Sequence, residues 1–179
     1  MTESRQNRRG LVMVWTGDGK GKTTAALGVA FRALGCGWKV RMIQFIKGPW
    51  VSAEKRLADS LDLPLEILPM GDGFTWDTNN PEQDRTTCEG IWSFVQETID
   101  NAEHDLVILD EINVVFSLDY LDPEPVLEAL RKRPPWMHII LTGRDAPEAV
   151  IAAADLVSRV EAVKHPFDKG ITAQPGIDF

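Results

Sequence analysis

The stretch TGDGKGKTT at residues 16–24 constrains the fold more than any other part of the chain. It follows the apolar run LVMVW at 11–15 and leads into TTAALGVAFRAL at 23–34, whose apolar residues recur at helical spacing. A glycine-rich loop between a strand and a helix lets backbone N–H groups and the helix N-terminus bind phosphate. This order therefore predicts the phosphate-binding loop of a nucleotide-binding α/β protein.

The loop departs from the usual motif GxxxxGK[ST] at one position, because Thr16 replaces the first glycine. We expect Lys22 to neutralise phosphate charge and the hydroxyl of Thr23 to bind a magnesium ion. The alternative is a glycine-rich turn with surface lysines. The residues expected to contact the nucleotide phosphates are Thr16, Gly17, Asp18, Gly19, Lys20, Gly21, Lys22, Thr23 and Thr24.

Apolar runs alternate with helical patterns along the rest of the chain. Further strands are predicted at 38–45, 65–68, 106–109, 137–141 and 156–163, and further helices at 52–61, 82–102, 123–131 and 146–154. Alternating strands and helices favour a mostly parallel central sheet with helices on both faces, as in P-loop NTPases. We expect one such domain at 10–179, preceded by a flexible tip at 1–9.

Composition narrows the function classes. A net charge of -8 over 179 residues argues against a nucleic-acid partner, which would need clustered Lys and Arg. No apolar run is long enough to span a bilayer, and the N-terminus does not resemble a signal peptide, so no membrane association is expected. Cys36 and Cys88 do not form a CxxC pair, which favours free, buried thiols in the cytoplasm.

A second acidic motif follows the strand predicted at 106–109. Asp110 and Glu111 come directly after four apolar residues, and ligands of parallel sheets collect at the carboxyl ends of strands. We expect both carboxylates near Thr23, where a hydrated Mg²⁺ needs one or two carboxylate ligands. The alternative is that they cap the following segment.

The polar stretch GDGFTWDTNN at 71–80 is not explained by phosphate chemistry. Phe74 and Trp76 stand at alternating positions among loop-forming residues. They either pack beneath their own loop or form a wall against a large, flat substrate.

Taken together, these segments resemble the P-loop type of ATP:corrinoid adenosyltransferase, the cob(I)alamin adenosyltransferase family. The resemblance covers nearly the whole chain from Arg9 onward, and GFTWDT and the C-terminal tail are its most specific parts. The matching segments are TGDGKGKTTAALG (16–28), QFIKG (44–48), GFTWDT (73–78), LDE (109–111), LTGR (141–144) and VKHPFDKGITAQPGIDF (163–179).

This resemblance implies transfer of the 5′-deoxyadenosyl group of ATP to the Co(I) of a corrinoid, with release of triphosphate. It implies that Lys22 stabilises the leaving group, and that Phe74 and Trp76 pack beneath the corrin and displace its lower axial ligand. It further implies Mg²⁺ or Mn²⁺ at Thr23, Asp110 and Glu111, an electron donor such as a flavoprotein, and a homodimer. Whether the corrinoid is cobalamin, cobinamide or an a,c-diamide stays open.

Other charged residues in the matching segments are less specific. Lys47, Arg144, Lys164, His165 and Asp168 would contact phosphate, ribose or corrin amides, or would form surface salt bridges instead. We assign Arg144 to the nucleotide.

Two other function classes are alternatives to adenosyl transfer for a chain with this phosphate loop. A P-loop kinase or ATPase would act at the γ-phosphate, with Glu111 and Arg144 as base and arginine finger. A non-catalytic module would bind nucleotide and corrinoid without forming a product. The GFTWDT segment favours the adenosyltransferase, because a kinase or ATPase has no use for it.

Overall fold

Six parallel strands form the central sheet of the protein. The computed structural model describes residues 5–48, 51–73 and 80–178. The strand order is β3-β2-β4-β5-β1-β6, and every pairing is parallel, which confirms the predicted sheet. The strands are β1 (Val12–Thr16), β2 (Val40–Gln44), β3 (Leu65–Pro69), β4 (Leu106–Asp110), β5 (His138–Thr142) and β6 (Leu156–Arg159).

Helices cover both faces of this sheet. Successive side chains of a strand point to opposite faces, so β1 sends Val12 and Val14 into one core cluster and Met13 and Trp15 into the other. The first cluster packs under α3, α4, α5 and α6, and the second under α1 and α2. The helices are α1 (Lys22–Gly35), α2 (Ala53–Ser60), α3 (Pro81–Asn101), α4 (Ile112–Ser117), α5 (Pro123–Lys132) and α6 (Glu148–Ala153).

Most element bounds agree with the sequence predictions to within two residues, but two differences matter. The sequence analysis did not predict α4, because its six residues INVVFS, of which four are apolar, are too few to establish a helical period. Strand β6 ends at Arg159 rather than at 163, because the chain then turns towards the phosphate loop, where Gly19 N donates to Val160 O.

Residues 5–8, in the segment expected to be a mobile tip, contact the amino-terminal edge of the sheet. Arg5 Nε and Arg8 Nη1 donate to Asp105 Oδ1 at 2.9 and 2.8 Å. The Arg8 guanidinium also lies 3.8 Å from the centre of a Trp38 ring, and Trp38 stacks on His138. This cluster lies at the edge opposite the phosphate loop. The domain boundary at residue 10 stays a prediction.

The two thiols differ in exposure. Cys88 is buried in α3, as expected, whereas Cys36 is exposed, so the expectation that both are buried was wrong. Cys36 is exposed because it follows the last residue of α1, where the helix ends at the surface.

Within 5–48, 51–73 and 80–178, no helix combines the length and apolar character that crossing a bilayer requires.

Candidate nucleotide site

The loop between β1 and α1 has the conformation that phosphate binding requires. Gly17 and Gly21 adopt positive φ values of 95° and 113°, which glycine tolerates without steric cost. A Cβ on Gly17 would lie 2.5 Å from the carbonyl oxygen of Val160, so only glycine fits there. Residues 18–24 then line a cleft of about 430 Å³ at the carboxyl edge of the sheet.

Thr16 and Gly17 do not line this cleft, although both were predicted to contact the nucleotide. The Thr16 hydroxyl accepts a hydrogen bond of 3.1 Å from Ala146 N, which ties the start of the loop to the segment after β5. The Gly17 carbonyl accepts one from Lys22. Both residues therefore support the shape of the loop.

Lys22 lies inside the loop. Its Nζ donates to the carbonyls of Gly17 and Gly19, both at 2.7 Å, and the residue is 7% exposed. Burial lowers the pKa of Lys22; the charge of Glu111 opposes this shift, and that of Arg144 adds to it. An ammonium group in this position can exchange carbonyl acceptors for phosphate oxygens.

The Asp110 carboxylate joins the phosphate loop to three strands. It is fully buried at the end of β4. Its Oδ1 accepts from Thr23 Oγ1 at 2.9 Å and from Thr142 Oγ1 at 2.8 Å, and its Oδ2 accepts from Gln44 Nε2 at 3.0 Å. The expected proximity of Asp110 to Thr23 is therefore present.

Glu111 faces the same cleft from a strained backbone position. Its φ is 64°, a left-handed value that is uncommon for a residue other than glycine. Burial raises the pKa of Glu111, and the neighbouring charge of Asp110 raises it further. Its side chain makes no cap hydrogen bond to α4, so capping does not explain this acidic pair.

Charged side chains from four segments complete the cleft. Lys47 forms an ion pair of 2.9 Å with Glu54, and Lys20 forms one with Asp178 of the C-terminal tail. Arg144, which follows β5, also lines the cleft. Cations from separate segments thus converge on the phosphate loop.

His165 and Asp168 have a local structural role. They form a capping box around the short 3-10 turn Pro166–Lys169, with Phe167 N donating to His165 Nδ1 at 3.1 Å. Their side chains are thus engaged within the tail.

The comparisons with known proteins identify the family. The family model described as "ATP:corrinoid adenosyltransferase BtuR/CobO/CobP" matches residues 8–179. The chain belongs to this family. A corrinoid adenosyltransferase of Escherichia coli (strain K12) is 43% identical over 97% of this chain and 88% of its own length. The corrinoid adenosyltransferase CobA of Salmonella typhimurium is 42% identical over the same shares. One from Sinorhizobium sp is 39% identical over 98% of this chain and 83% of its own.

A solved structure outside the family supports the fold alone. The flagellar accessory protein FlaH from Methanocaldococcus jannaschii superposes with a TM-score of 0.57 at 14% identity, over 85% of this chain and 71% of its own.

The stretch GDGFTWDTNN at 71–80, called the aromatic segment below, begins at the same edge of the sheet. Phe74 and Trp76 lie outside the described residues, but the segment that leads to them packs against the end of β2. A Cβ on Gly71 would lie 2.2 Å from Phe45 O, and Thr87 Oγ1 donates to Asp72 Oδ2 at 2.5 Å. The base of the segment is therefore held between β2 and α3.

Sequence reasoning missed two residues of the site, Gln44 and Thr142. Both are buried at the ends of strands next to Asp110. A single polar residue at the end of an apolar strand carries no motif of its own, and its pairing with a neighbouring strand cannot be read from the sequence. Both lie in segments that had been matched to the family, QFIKG and LTGR.

Proposed function

We propose that this adenosyltransferase transfers the 5′-deoxyadenosyl group of ATP to the Co(I) of a corrinoid. The electron pair of Co(I) forms a bond to C5′, and the bond from C5′ to the triphosphate oxygen breaks. Triphosphate leaves with the electron pair of that broken C–O bond. No proton moves in this step, so neither a general base nor a protein nucleophile is needed. The protein must instead position C5′ and stabilise the charge on the leaving group.

One observation carries this proposal: Gln44 at the end of β2 is bonded to Asp110, which accepts from Thr23 of the phosphate loop, and also to the residues that lead into the aromatic segment. Gln44 donates through its side chain to Asp110, and its carbonyl accepts from Met70 N at 3.1 Å and Gly71 N at 3.3 Å. A donor bound at the loop and a flat acceptor held by Phe74 and Trp76 would then be neighbours. A kinase or ATPase gains nothing from this neighbourhood.

Stabilisation of the leaving group is assigned to Lys22, the loop N–H groups and Arg144. Lys22 already contacts two loop carbonyls, so it can reach oxygens that lie along the loop. Arg144 approaches from the end of β5 and lines the same cleft. These are preorganised charges, which stabilise developing negative charge with little rearrangement.

The residues around Thr23 fit a divalent cation of the magnesium type. Mg²⁺ takes one or two carboxylates and completes its shell with water and phosphate oxygens. Among the described residues, no three or more His, Cys, Asp or Glu side chains group together as a metal site. Thr23 and Glu111 would contact it, with Asp110 orienting the Thr23 hydroxyl. When bound, Mg²⁺ or Mn²⁺ neutralises charge on the triphosphate.

The remaining parts of the proposal rest on the family resemblance. They are displacement of the lower axial ligand by Phe74 and Trp76, delivery of electrons by a donor such as a flavoprotein, and a homodimer. A cytoplasmic location is proposed from the cysteine usage instead.

An anaerobic assay tests the proposal. The protein is mixed with Mg-ATP and chemically reduced cob(I)alamin, and the corrinoid spectrum is followed before and after exposure to light. We expect an ATP-dependent alkylated corrinoid that light converts back. Binding of both ligands without this product would instead support a non-catalytic module.

A further inference from the structure

The Asp110 carboxyl group is fully buried, and the side-chain donors that it meets among the described residues are neutral groups. These donors are the hydroxyls of Thr23 and Thr142 and the amide of Gln44. Both hydroxyls bond to Oδ1, so within the described part of the chain the Gln44 amide is the side-chain donor to Oδ2. A buried carboxylate without a cationic partner is costly, and a nearby cation would relieve that cost.

Burying the Gln44 side chain at this position is itself energetically unfavourable. It is 1% exposed, lies in register with Asp110, and its Oε1 has no hydrogen-bond partner in the part of the chain that the structure describes. A buried acceptor without a donor costs about 1–3 kcal/mol. An apolar side chain of the same length would avoid that cost, so the unpaired oxygen calls for a donor such as water.

We propose that Gln44 is a positioning residue for the hydrated cation of the nucleotide site. Its Nε2 fixes Oδ2 of Asp110, and its Oε1 accepts a hydrogen bond from a water of the cation's shell. The inference rests on the proposed function, which places Mg²⁺ beside Thr23. It suits the chemistry of Mg²⁺, which keeps several of its waters in protein sites.

Gln44→Met is the direct test, because methionine has nearly the same length and no hydrogen-bonding amide. ATP affinity is measured by calorimetry with Mg²⁺ and again with EDTA, and the ratio gives the metal-dependent gain. We expect Gln44→Met to lower this gain about 10- to 100-fold, the usual effect of removing an outer-shell partner. ATP affinity in EDTA should stay close to that of the wild type. Gln96→Met makes the same chemical change on the exposed side of α3 and should alter neither value.

The outcomes separate this proposal from the proposed function. If the wild type gains no affinity from Mg²⁺, the magnesium site is wrong and the role of Gln44 falls with it. If Mg²⁺ raises the ATP affinity of the wild type and of Gln44→Met by the same factor, only the role of Gln44 is wrong. An equal loss of affinity with and without metal would indicate a merely structural role and would also overturn it.

Gln44→Glu provides a second variant in case Gln44→Met folds poorly. It keeps an acceptor oxygen for the cation's water but loses the donor to Asp110. We expect its metal-dependent gain to be at least that of the wild type, and its melting temperature to rise more on addition of Mg²⁺. A metal-dependent gain about 10-fold or more below that of the wild type would contradict the water-binding role of Oε1.

Discussion

Replacement of Lys22 by methionine should weaken ATP binding through loss of one buried charge. Lys22 Nζ makes two bonds of 2.7 Å to loop carbonyls, which ATP binding would exchange for bonds to phosphate. A charge-assisted hydrogen bond contributes about 1.5–3 kcal/mol. Because the two carbonyl bonds are lost when the phosphate bonds form, we expect Lys22→Met to lose about 2–3 kcal/mol of binding free energy. This corresponds to an increase of about 30- to 150-fold in Kd.

Calorimetry with Mg-ATP and with inorganic triphosphate measures this loss. Both ligands should lose affinity by the same factor, because the contact is to phosphate and not to adenosine. Lys132→Met makes the same change at the end of α5 and should leave both affinities unaltered. An affinity of Lys22→Met close to that of the wild type would refute the placement of phosphate at this loop.

The pH dependence gives an independent check on the same group. Burial lowers the pKa of Lys22 below its ordinary value of 10.5. As the pH rises through this lowered pKa, the ammonium loses its proton and its attraction for phosphate. The affinity of the wild type for ATP should therefore fall at a lower pH than the titration of an exposed lysine would cause. Lys22→Met should not show this fall. Identical dependence of ATP affinity on pH in the wild type and Lys22→Met would contradict this role of Lys22.

Four further predictions follow from other parts of the chain. Trp76→Ala should bind ATP normally and act on Co(I) corrinoid, but lose turnover of Co(II) corrinoid with a weak reductant; unchanged turnover would remove it from the mechanism. Burial raises the pKa of Cys88 to about 12, so a thiol reagent should label Cys36 alone at neutral pH in the native protein and both thiols after denaturation. Gly71→Ala should lower the free energy of unfolding by about 1–3 kcal/mol, because its Cβ would lie 2.2 Å from a backbone oxygen; an unchanged denaturation midpoint would contradict this. Asp105→Asn should lower the free energy of unfolding by about 2–3 kcal/mol at neutral pH, because it removes the charge of a buried carboxylate that pairs with the buried side chain of Arg8 and the partly exposed one of Arg5. Equal denaturation midpoints for wild type and variant would contradict this.

The difference in stability between the wild type and Asp105→Asn should depend on pH in a defined direction. Burial alone would raise the pKa of Asp105, but hydrogen bonds from Arg5, the Lys39 backbone and Arg8 hold it below its ordinary value. A lowered pKa in the folded state gives stability that is present above the unfolded value of 3.8. That stability is lost as the pH falls through the folded pKa, so the gap between wild type and Asp105→Asn should narrow in acid.

The sequence predicted those parts of the site that depend on local order along the chain. The phosphate loop, with its strand and helix, is a local pattern, and the position of Asp110 follows from the rule that parallel strands end at one edge. The roles of Gln44 and Thr142 were not predictable in this way, because they depend on register between strands. The contact of Arg8 with Asp105 joins residues 97 positions apart and has no sequence signal.

Short-range ambiguity explains the other differences. Four of the six residues of α4 are apolar, and an apolar run this short fits a buried helix or a buried strand equally well. Cys36 was expected to be buried from the general habit of cysteine, but its place just after α1 exposes it.

The fate of the ATP phosphates tests the central claim most directly. The protein is incubated anaerobically with Mg-ATP and cob(I)alamin, and the products are resolved by phosphorus NMR. Attack at C5′ predicts intact triphosphate in equal amount to the alkylated corrinoid. ADP and inorganic phosphate without alkylated corrinoid would show chemistry at the γ-phosphate and would contradict the account.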